Sequence, residues 1–366
     1  KVFGFSFTVL RFSTLFLACV GVIYSYKLIR EFVSEKSIVF LLTLLILFNP
    51  IYLNLSYTFM TDMPFYTFSV LSIYHSVKFI DSNLSKHLLM GVLFSIIAIL
   101  TRQLALVIPF SLLLIALHKI MKGEEVSFHY IAPFVVCLIT YFFYQEIAHT
   151  FFGAKGRYDE MNGKLFNQII ESPFALLTSI AKRGVIGLLY LTLFISPLLF
   201  SYFLKLKDKM VIISLIVGFS FFLFLLHTNQ IFPMLDNIIH YTGVGPKTLY
   251  DSWWIKIDFK SIIVDNFLLK LTLFISILFI FMILKFSNIK SFKQVKKDEK
   301  SLFVLLILIG YLIIISSIST FDRYYLLPIP LLIILVVSIF ELKFSKLFFS
   351  MILFPMMWFS VAGIHD

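Results

Sequence analysis

Apolar runs long enough to cross a bilayer recur along nearly the whole chain. A spanning helix needs about 20 predominantly apolar residues, and runs near that length are interrupted by short polar segments. Of the 366 residues, 60% are hydrophobic and 14% are charged, a composition that excludes an ordinary soluble domain. The sequence therefore predicts an all-α, polytopic integral membrane protein.

One apolar segment decides the number of spans. The other runs are near 7–26, 37–55, 64–80, 130–148, 184–203, 210–227, 262–284, 302–319, 324–340 and 346–362. The remaining segment, 88–117, would form a helix of about 45 Å, too long for a hydrocarbon core of about 30 Å. It would also carry Arg102 at its midpoint. We expect two short spans hinged at Thr101-Arg102-Gln103, and hence about 12 transmembrane helices.

Lysine clusters between the spans predict the topology. With about 12 spans, Lys27, Arg30 and the dense cluster from Lys285 to Lys300 fall on one side, which the positive-inside rule assigns to the cytoplasm. A single span at 88–117 would separate these clusters. The net charge of +11 is therefore interpreted as a topology signal, and no nucleic acid partner is expected, because the lysines form no continuous basic face.

A single carboxylate, Asp62, lies between two predicted spans in the turn Thr61-Asp62-Met63-Pro64. A carboxylate at a bilayer edge is costly to bury, so it must face water, a cavity or a cation. Pro64 fits the first turn of the next helix. Asp62 is the candidate catalytic residue, although capping of the helix near Pro64 is an alternative or additional role.

Two arginines are predicted on the same outer face as Asp62. Arg102 and Arg323 lie near the outer ends of their helices, at the depth of a lipid phosphate, and a planar guanidinium suits a phosphate. Asp322 and Tyr324 join them as candidate substrate-binding residues. Two simpler interpretations stay open: Arg102 only snorkels from a helix end, and Asp322-Arg323 is only a local ion pair.

Two longer polar segments, about 149–183 and 228–261, are predicted as outer loops. Tyr158 in the first and Lys247 in the second are candidate substrate contacts, with ordinary solvated loops as the alternative. The stretch from Leu165 to Ala181 is amphipathic and is expected on the membrane surface. No metal ligands are assigned, because His240 has no second ligand at metal spacing, and dependence on a divalent metal stays open.

Short motifs spread over nearly all of the chain resemble those of a known family. They are Leu10-Arg11-Phe12, Asn49-Pro50, Thr61-Asp62-Met63-Pro64, Leu100-Thr101-Arg102-Gln103 and the segment from Phe321 to Pro328. In order and spacing they resemble the bacterial GT-C glycosyltransferases, the relatives of protein O-mannosyltransferases and of the aminoarabinose transferase that modifies lipid A. The segments around Asp62 and Arg323 are the most specific of them.

This resemblance implies transfer of a sugar from a polyprenyl-phosphate carrier to an envelope glycan, lipid or protein. It implies a multi-pass protein of the bacterial cytoplasmic membrane with its active site on the outer face. Family members carry a leading helix and an outer loop with an acidic motif that supplies the principal carboxylate. We expect residues 1–366 to be a single transmembrane domain that is truncated at both ends and begins after that loop.

Two other classes of function remain as alternatives. A secondary transporter or flippase would place ionisable residues near the bilayer midplane, whereas the polar groups here gather at one predicted face. A membrane assembly protein without catalytic activity is the second alternative. An assay of sugar transfer from a radiolabelled polyprenyl-phosphate sugar would separate the three classes.

Overall fold

The computed structural model describes residues 6–58, 60–152, 170–204, 209–228, 259–317, 321–340 and 345–365. Across these ranges the chain is helical and contains no strand. The α-helices are α1 (Phe7–Arg30), α2 (Lys36–Leu47), α3 (Pro50–Ser56), α4 (Asp62–Ser82), α5 (Ser85–Thr101), α6 (Val107–Met121), α7 (Ala132–Phe152), α8 (Pro173–Phe194), α9 (Ser196–Phe203), α10 (Lys209–His227), α11 (Phe259–Ser287), α12 (Ile289–Lys297), α13 (Glu299–Ser317), α14 (Pro328–Ile339) and α15 (Lys346–His365). Short 3-10 helices cover Gln103–Leu106, Phe128–Tyr130 and Asp322–Tyr325.

The all-helical membrane class is confirmed, but the predicted count of about 12 spans is not. Among the described residues, 8 helices are long and apolar enough to cross a membrane, or 9 if α2 and α3 form one span bent by 65°. Helix α5 has 17 residues, and the apolar part of α15 is also short. Helix breaks account for part of the difference, because they shorten α2, α3 and α5. Helix α4 is long enough, with 21 residues, but it is not apolar enough to be counted.

The expected hinge in the segment 88–117 is present. Helix α5 ends at Thr101, and Arg102 has extended backbone angles of φ −151° and ψ 129°. A 3-10 turn over Gln103–Leu106 then leads into α6. The break places Arg102 at the end of α5 instead of inside a long helix.

Several helix ends differ from the predicted ones. Helix α8 begins at Pro173, well before the predicted start at 184, because a proline is favoured in the first turn of a helix. It therefore contains the end of the stretch expected on the membrane surface. A second break at Ile195 divides the predicted span 184–203, and Pro197 lies in the first turn of α9. Residues 153–169 and 229–258 lie outside the described residues.

Ion pairs gather at one end of the helix bundle. Lys78 Nζ lies 2.8 Å from Glu31 Oε2, and Lys119 Nζ lies 2.9 Å from Glu299 Oε2. Pairs between Lys300 and Asp81 and between Lys346 and Glu35 join further helix ends. These ion pairs connect the ends of α1, α4 and α6 with the starts of α2, α13 and α15. The lysine pattern predicts that these helix ends lie on the same side of the membrane.

The opposite end of α4 is held by polar contacts inside the bundle. Tyr66 Oη on α4 lies 2.6 Å from Ser25 Oγ on α1, and Thr67 Oγ1 donates to the Leu17 carbonyl at 2.8 Å. Small residues such as Gly21 and hydroxyl groups let membrane helices approach and hydrogen-bond across their interface. These contacts fix α4, and therefore the position of Asp62 at its start.

Candidate functional site

The buried Asp62 and the half-buried Arg102 form an ion pair at the start of α4. Helix α4 begins at Asp62, with Pro64 inside its first turn. Asp62 Oδ2 lies 2.8 Å from Arg102 Nη2, and the two side chains are 3% and 18% exposed. The position in the first turn favours a negative charge through the helix dipole. Asp62 is thus the first residue of the helix and the partner of a cation, instead of the cap of a helix starting at Pro64.

Arg102 reaches two further groups. Its Nη2 lies 3.4 Å from Thr61 Oγ1, and its guanidinium carbon lies 5.3 Å from the centre of the Tyr324 ring. A cation at this distance from an aromatic ring is attracted to it. The Arg102 side chain therefore contacts Asp62, Thr61 and Tyr324. An arginine that only snorkels from a helix end would not need these contacts.

Arg323 approaches the same tyrosine. Its guanidinium carbon lies 5.6 Å from the Tyr324 ring centre and 5.2 Å from that of Phe321. Its Nη1 lies 3.5 Å from Met60 Sδ, and among the described residues its Nε has no hydrogen-bond partner. Two guanidinium groups thus contact one ring, and the Arg323 Nε, unpartnered within these ranges, is buried.

The remaining predicted site residues fall into two groups. Asp322 is buried at 0% exposure and begins the 3-10 turn that carries Arg323 and Tyr324. Tyr158 and Lys247 lie outside the described residues. The structure therefore brings Asp62, Arg102, Arg323 and Tyr324 together, from three distant segments of the chain.

The surroundings of Asp62 act on its affinity for protons. Burial raises the pKa of this carboxyl above its ordinary value, against the opposing charges of Arg102 and Arg323. A carboxylate that holds a proton more readily than an exposed one is suited to proton transfer. The arrangement thus places a proton acceptor beside two cations.

Some contacting residues were not among the predicted site residues. Met60 and Thr61 contact the arginines, and Tyr311 on α13 stacks on Phe65 of α4 at a centroid distance of 6.2 Å. Tyr311 lies within an apolar run, so its sequence context resembles that of any buried aromatic residue. Only the packing of α13 against α4 shows that it lies beneath the site.

The described residues do not fit a metal site. In these ranges no three His, Cys, Asp or Glu side chains lie close enough together to hold a metal ion. At Asp62 the neighbouring cation is the Arg102 guanidinium. We therefore assign no step to a metal.

Comparison with known families shows a similarity in the first part of the chain. No curated protein and no solved structure gives a significant match. Residues 1–144 match the family model described as dolichyl-phosphate-mannose-protein mannosyltransferase, and this range contains Asp62 and Arg102. Over these residues, less than half of the chain, the sequence is similar to that mannosyltransferase family.

Proposed function

We propose that the protein transfers a sugar from a polyprenyl-phosphate carrier to an acceptor hydroxyl at the outer face of a bacterial cytoplasmic membrane. The observation that carries this proposal is the cluster of Asp62, Arg102, Arg323 and Tyr324. The match to a mannosyltransferase family supports the reaction class. The acceptor is an envelope glycan, lipid or protein.

The chemistry of the donor explains the residue types of the cluster. The acceptor oxygen attacks the anomeric carbon, and the bond from that carbon to the phosphate oxygen breaks. The hydroxyl proton passes to a carboxylate, for which Asp62 is the candidate within residues 1–366, and the polyprenyl phosphate leaves with the electron pair of the broken bond. Arg102 and Arg323 stabilise the negative charge that develops on the phosphate. Water then removes the proton from Asp62 before the next cycle.

The roles of the two arginines follow from their contacts. Arg102 already pairs with Asp62, so its main effect is on the carboxylate and on the shared electrostatic field. Arg323 forms no ion pair with a carboxylate among the described residues, so its guanidinium is the better candidate to donate to a phosphate oxygen. Tyr324 and Asp322 belong to the same turn, and Tyr158 and Lys247 remain proposed contacts on the outer loops.

The membrane arrangement belongs to the same proposal. Ion pairs at one end of the bundle join the lysine-rich segments, and the Asp62 cluster lies at the opposite ends of α4 and α5. The positive-inside rule then supports an outer location for the cluster. We propose about 12 passes: the 8 long apolar helices of the described ranges, the bent pair of α2 and α3, the less apolar α4, and α5 and α15 as short helices.

Replacement of Arg323 tests the proposal directly. In vesicles containing the full-length protein, we expect Arg323→Ala and Arg323→Lys to reduce transfer of a radiolabelled sugar from polyprenyl phosphate at least about 100-fold, because a stabilising donor of this kind contributes roughly 10² to 10³. Arg30→Ala is the matched control, since Arg30 lies at the lysine-rich end of α1. Undiminished transfer by the Arg323 variants would remove the proposal, and movement of the donor lipid across the bilayer without transfer would favour a flippase.

A further inference from the structure

Helix α12 is a short amphipathic element at the lysine-rich end of the bundle. Asn288 accepts a hydrogen bond from the Lys290 amide at its start. Ser291 and Val295 are buried, while Phe292 is 55% exposed. The exposed lysines of the helix are Lys290, Lys293, Lys296 and Lys297. A basic helix with one apolar side is typical of elements that lie at a membrane surface.

These four lysines have no carboxylate partner among the described residues. The nearby acidic residues are engaged elsewhere: Asp298 accepts hydrogen bonds from the backbone of Lys300 and from Ser301, and Glu299 pairs with Lys119. Four neighbouring cations without acidic partners form a surface that attracts an anion.

An apolar groove lies beside this basic surface. It has a volume of about 340 Å³ and is formed where α11, α12, α13 and α14 meet. Its lining includes Ile283, Phe286, Phe292, Leu305, Ile309 and Ile339. Ile283, Phe292 and Ile309 remain substantially exposed. The groove therefore offers a hydrocarbon surface next to a cluster of positive charge.

We propose that this groove and the lysines of α12 bind an anionic phospholipid of the inner leaflet. The acyl chain lies along the groove, and the phosphate of the headgroup lies among the lysines. Anionic lipids are attracted to clusters of lysines near the membrane surface. The site is independent of the Asp62 cluster, which lies at the other end of the bundle.

Charge complementarity favours a lipid over a second copy of the chain. A two-fold contact through this face would bring the same four lysines of both copies together. An anionic lipid satisfies the charge and the apolar surface with a single molecule. The lysine-rich end is also the end that faces the anionic leaflet under the positive-inside rule.

Spin-labelled lipids provide the test. The full chain is placed in phosphatidylcholine vesicles that contain acyl-labelled phosphatidylglycerol or acyl-labelled phosphatidylcholine, and the motionally restricted fraction of each label is measured by electron paramagnetic resonance. We expect a preference for phosphatidylglycerol that falls at least about fivefold when Lys290, Lys293, Lys296 and Lys297 are all replaced with Gln. In the matched control, four other exposed lysines are replaced with Gln instead: Lys36, Lys86, Lys122 and Lys209. We expect this variant to keep the preference for phosphatidylglycerol.

A second pair of variants tests the groove without changing charge. Ile309→Trp fills the groove, whereas Ile313→Trp adds the same bulk one turn further along α13, at a position that is 52% exposed and outside the groove. We expect Ile309→Trp alone to release the restricted phosphatidylglycerol. Equal loss in both lysine variants, or retention of the lipid by Ile309→Trp, would overturn the proposal. A change in self-association by Ile309→Trp with unchanged lipid binding would assign the groove to a second copy.

Discussion

The Asp62 cluster shows how far individual residues can be interpreted from sequence. Asp62 and Arg102 each interrupt an apolar run at a predicted helix end, so a shared membrane face could be predicted for them. Their 2.8 Å contact could not, because it depends on how the start of α4 lies beside the break after α5. The role of Tyr324 as a common surface for both arginines was likewise invisible, since the sequence places it next to only one of them.

The titration of Asp62 follows from its surroundings. Burial raises the pKa of this carboxyl above 3.8, so it keeps its proton to a higher pH than an ordinary aspartate and ionises as the pH rises past its own pKa. Infrared spectroscopy across a pH series should show a protonated carboxyl band that Asp62→Asn removes. In Arg102→Gln the loss of an opposing positive charge should move the midpoint to still higher pH. An unchanged midpoint in that variant would contradict the assigned electrostatic role of Arg102.

At the scale of helices, a close contact between α8 and the turn that carries Arg323 fixes the position of that turn. Gly187 on α8 faces Tyr325, whose hydroxyl would lie 2.1 Å from a Cβ added at position 187. The glycine therefore permits a contact that no larger residue allows without movement. Sequence analysis could not identify this role, because Gly184 occurs on the same helix and has its nearest side-chain neighbour, Ser316 Oγ, 3.7 Å from the corresponding position.

These two glycines give a matched prediction. Gly187→Ala should destabilise the protein by about 1–3 kcal/mol through overpacking and should lower sugar transfer, because Tyr325 belongs to the same turn as Arg323. Gly184→Ala should be neutral or stabilising by up to about 1 kcal/mol, since alanine is the better helix former. Thermal unfolding in detergent measures both variants. Equal effects at the two positions would show that Tyr325 does not hold the turn.

For the whole molecule, the positions of the lysines predicted which helix ends lie together, whereas the apolar runs did not predict the number of continuous spanning helices. The lysine-rich segments do meet at one end, where ion pairs join residues such as Lys78 with Glu31 and Lys300 with Asp81. The apolar runs did not predict the helix lengths, because breaks at Asn49 and Ile195 lie inside strongly hydrophobic sequence. Composition therefore fixes membrane insertion, whereas local turns decide how many continuous spans result.

Thiol labelling tests the arrangement of the two ends. In a background with Cys19 and Cys137 replaced by Ser, we expect Met60→Cys to react with an impermeant reagent from outside intact cells. Lys86→Cys should react only in inverted vesicles. Both positions are exposed, so reactivity reports the side of the membrane more than local burial. Labelling of both positions from the same side would refute the proposed orientation.

The burial of one helix also bears on how the protein responds to its bilayer. In the segment Asp322–Ile339, 83% of the residues are buried inside the bundle. Hydrophobic mismatch acts on surfaces that touch lipid, where helices tilt to match the local thickness. This segment is shielded from that force by its neighbours, whereas α7 and α10 present broad apolar faces outward. The turn that carries Arg323 is therefore anchored to the part of the bundle least sensitive to changes in membrane thickness.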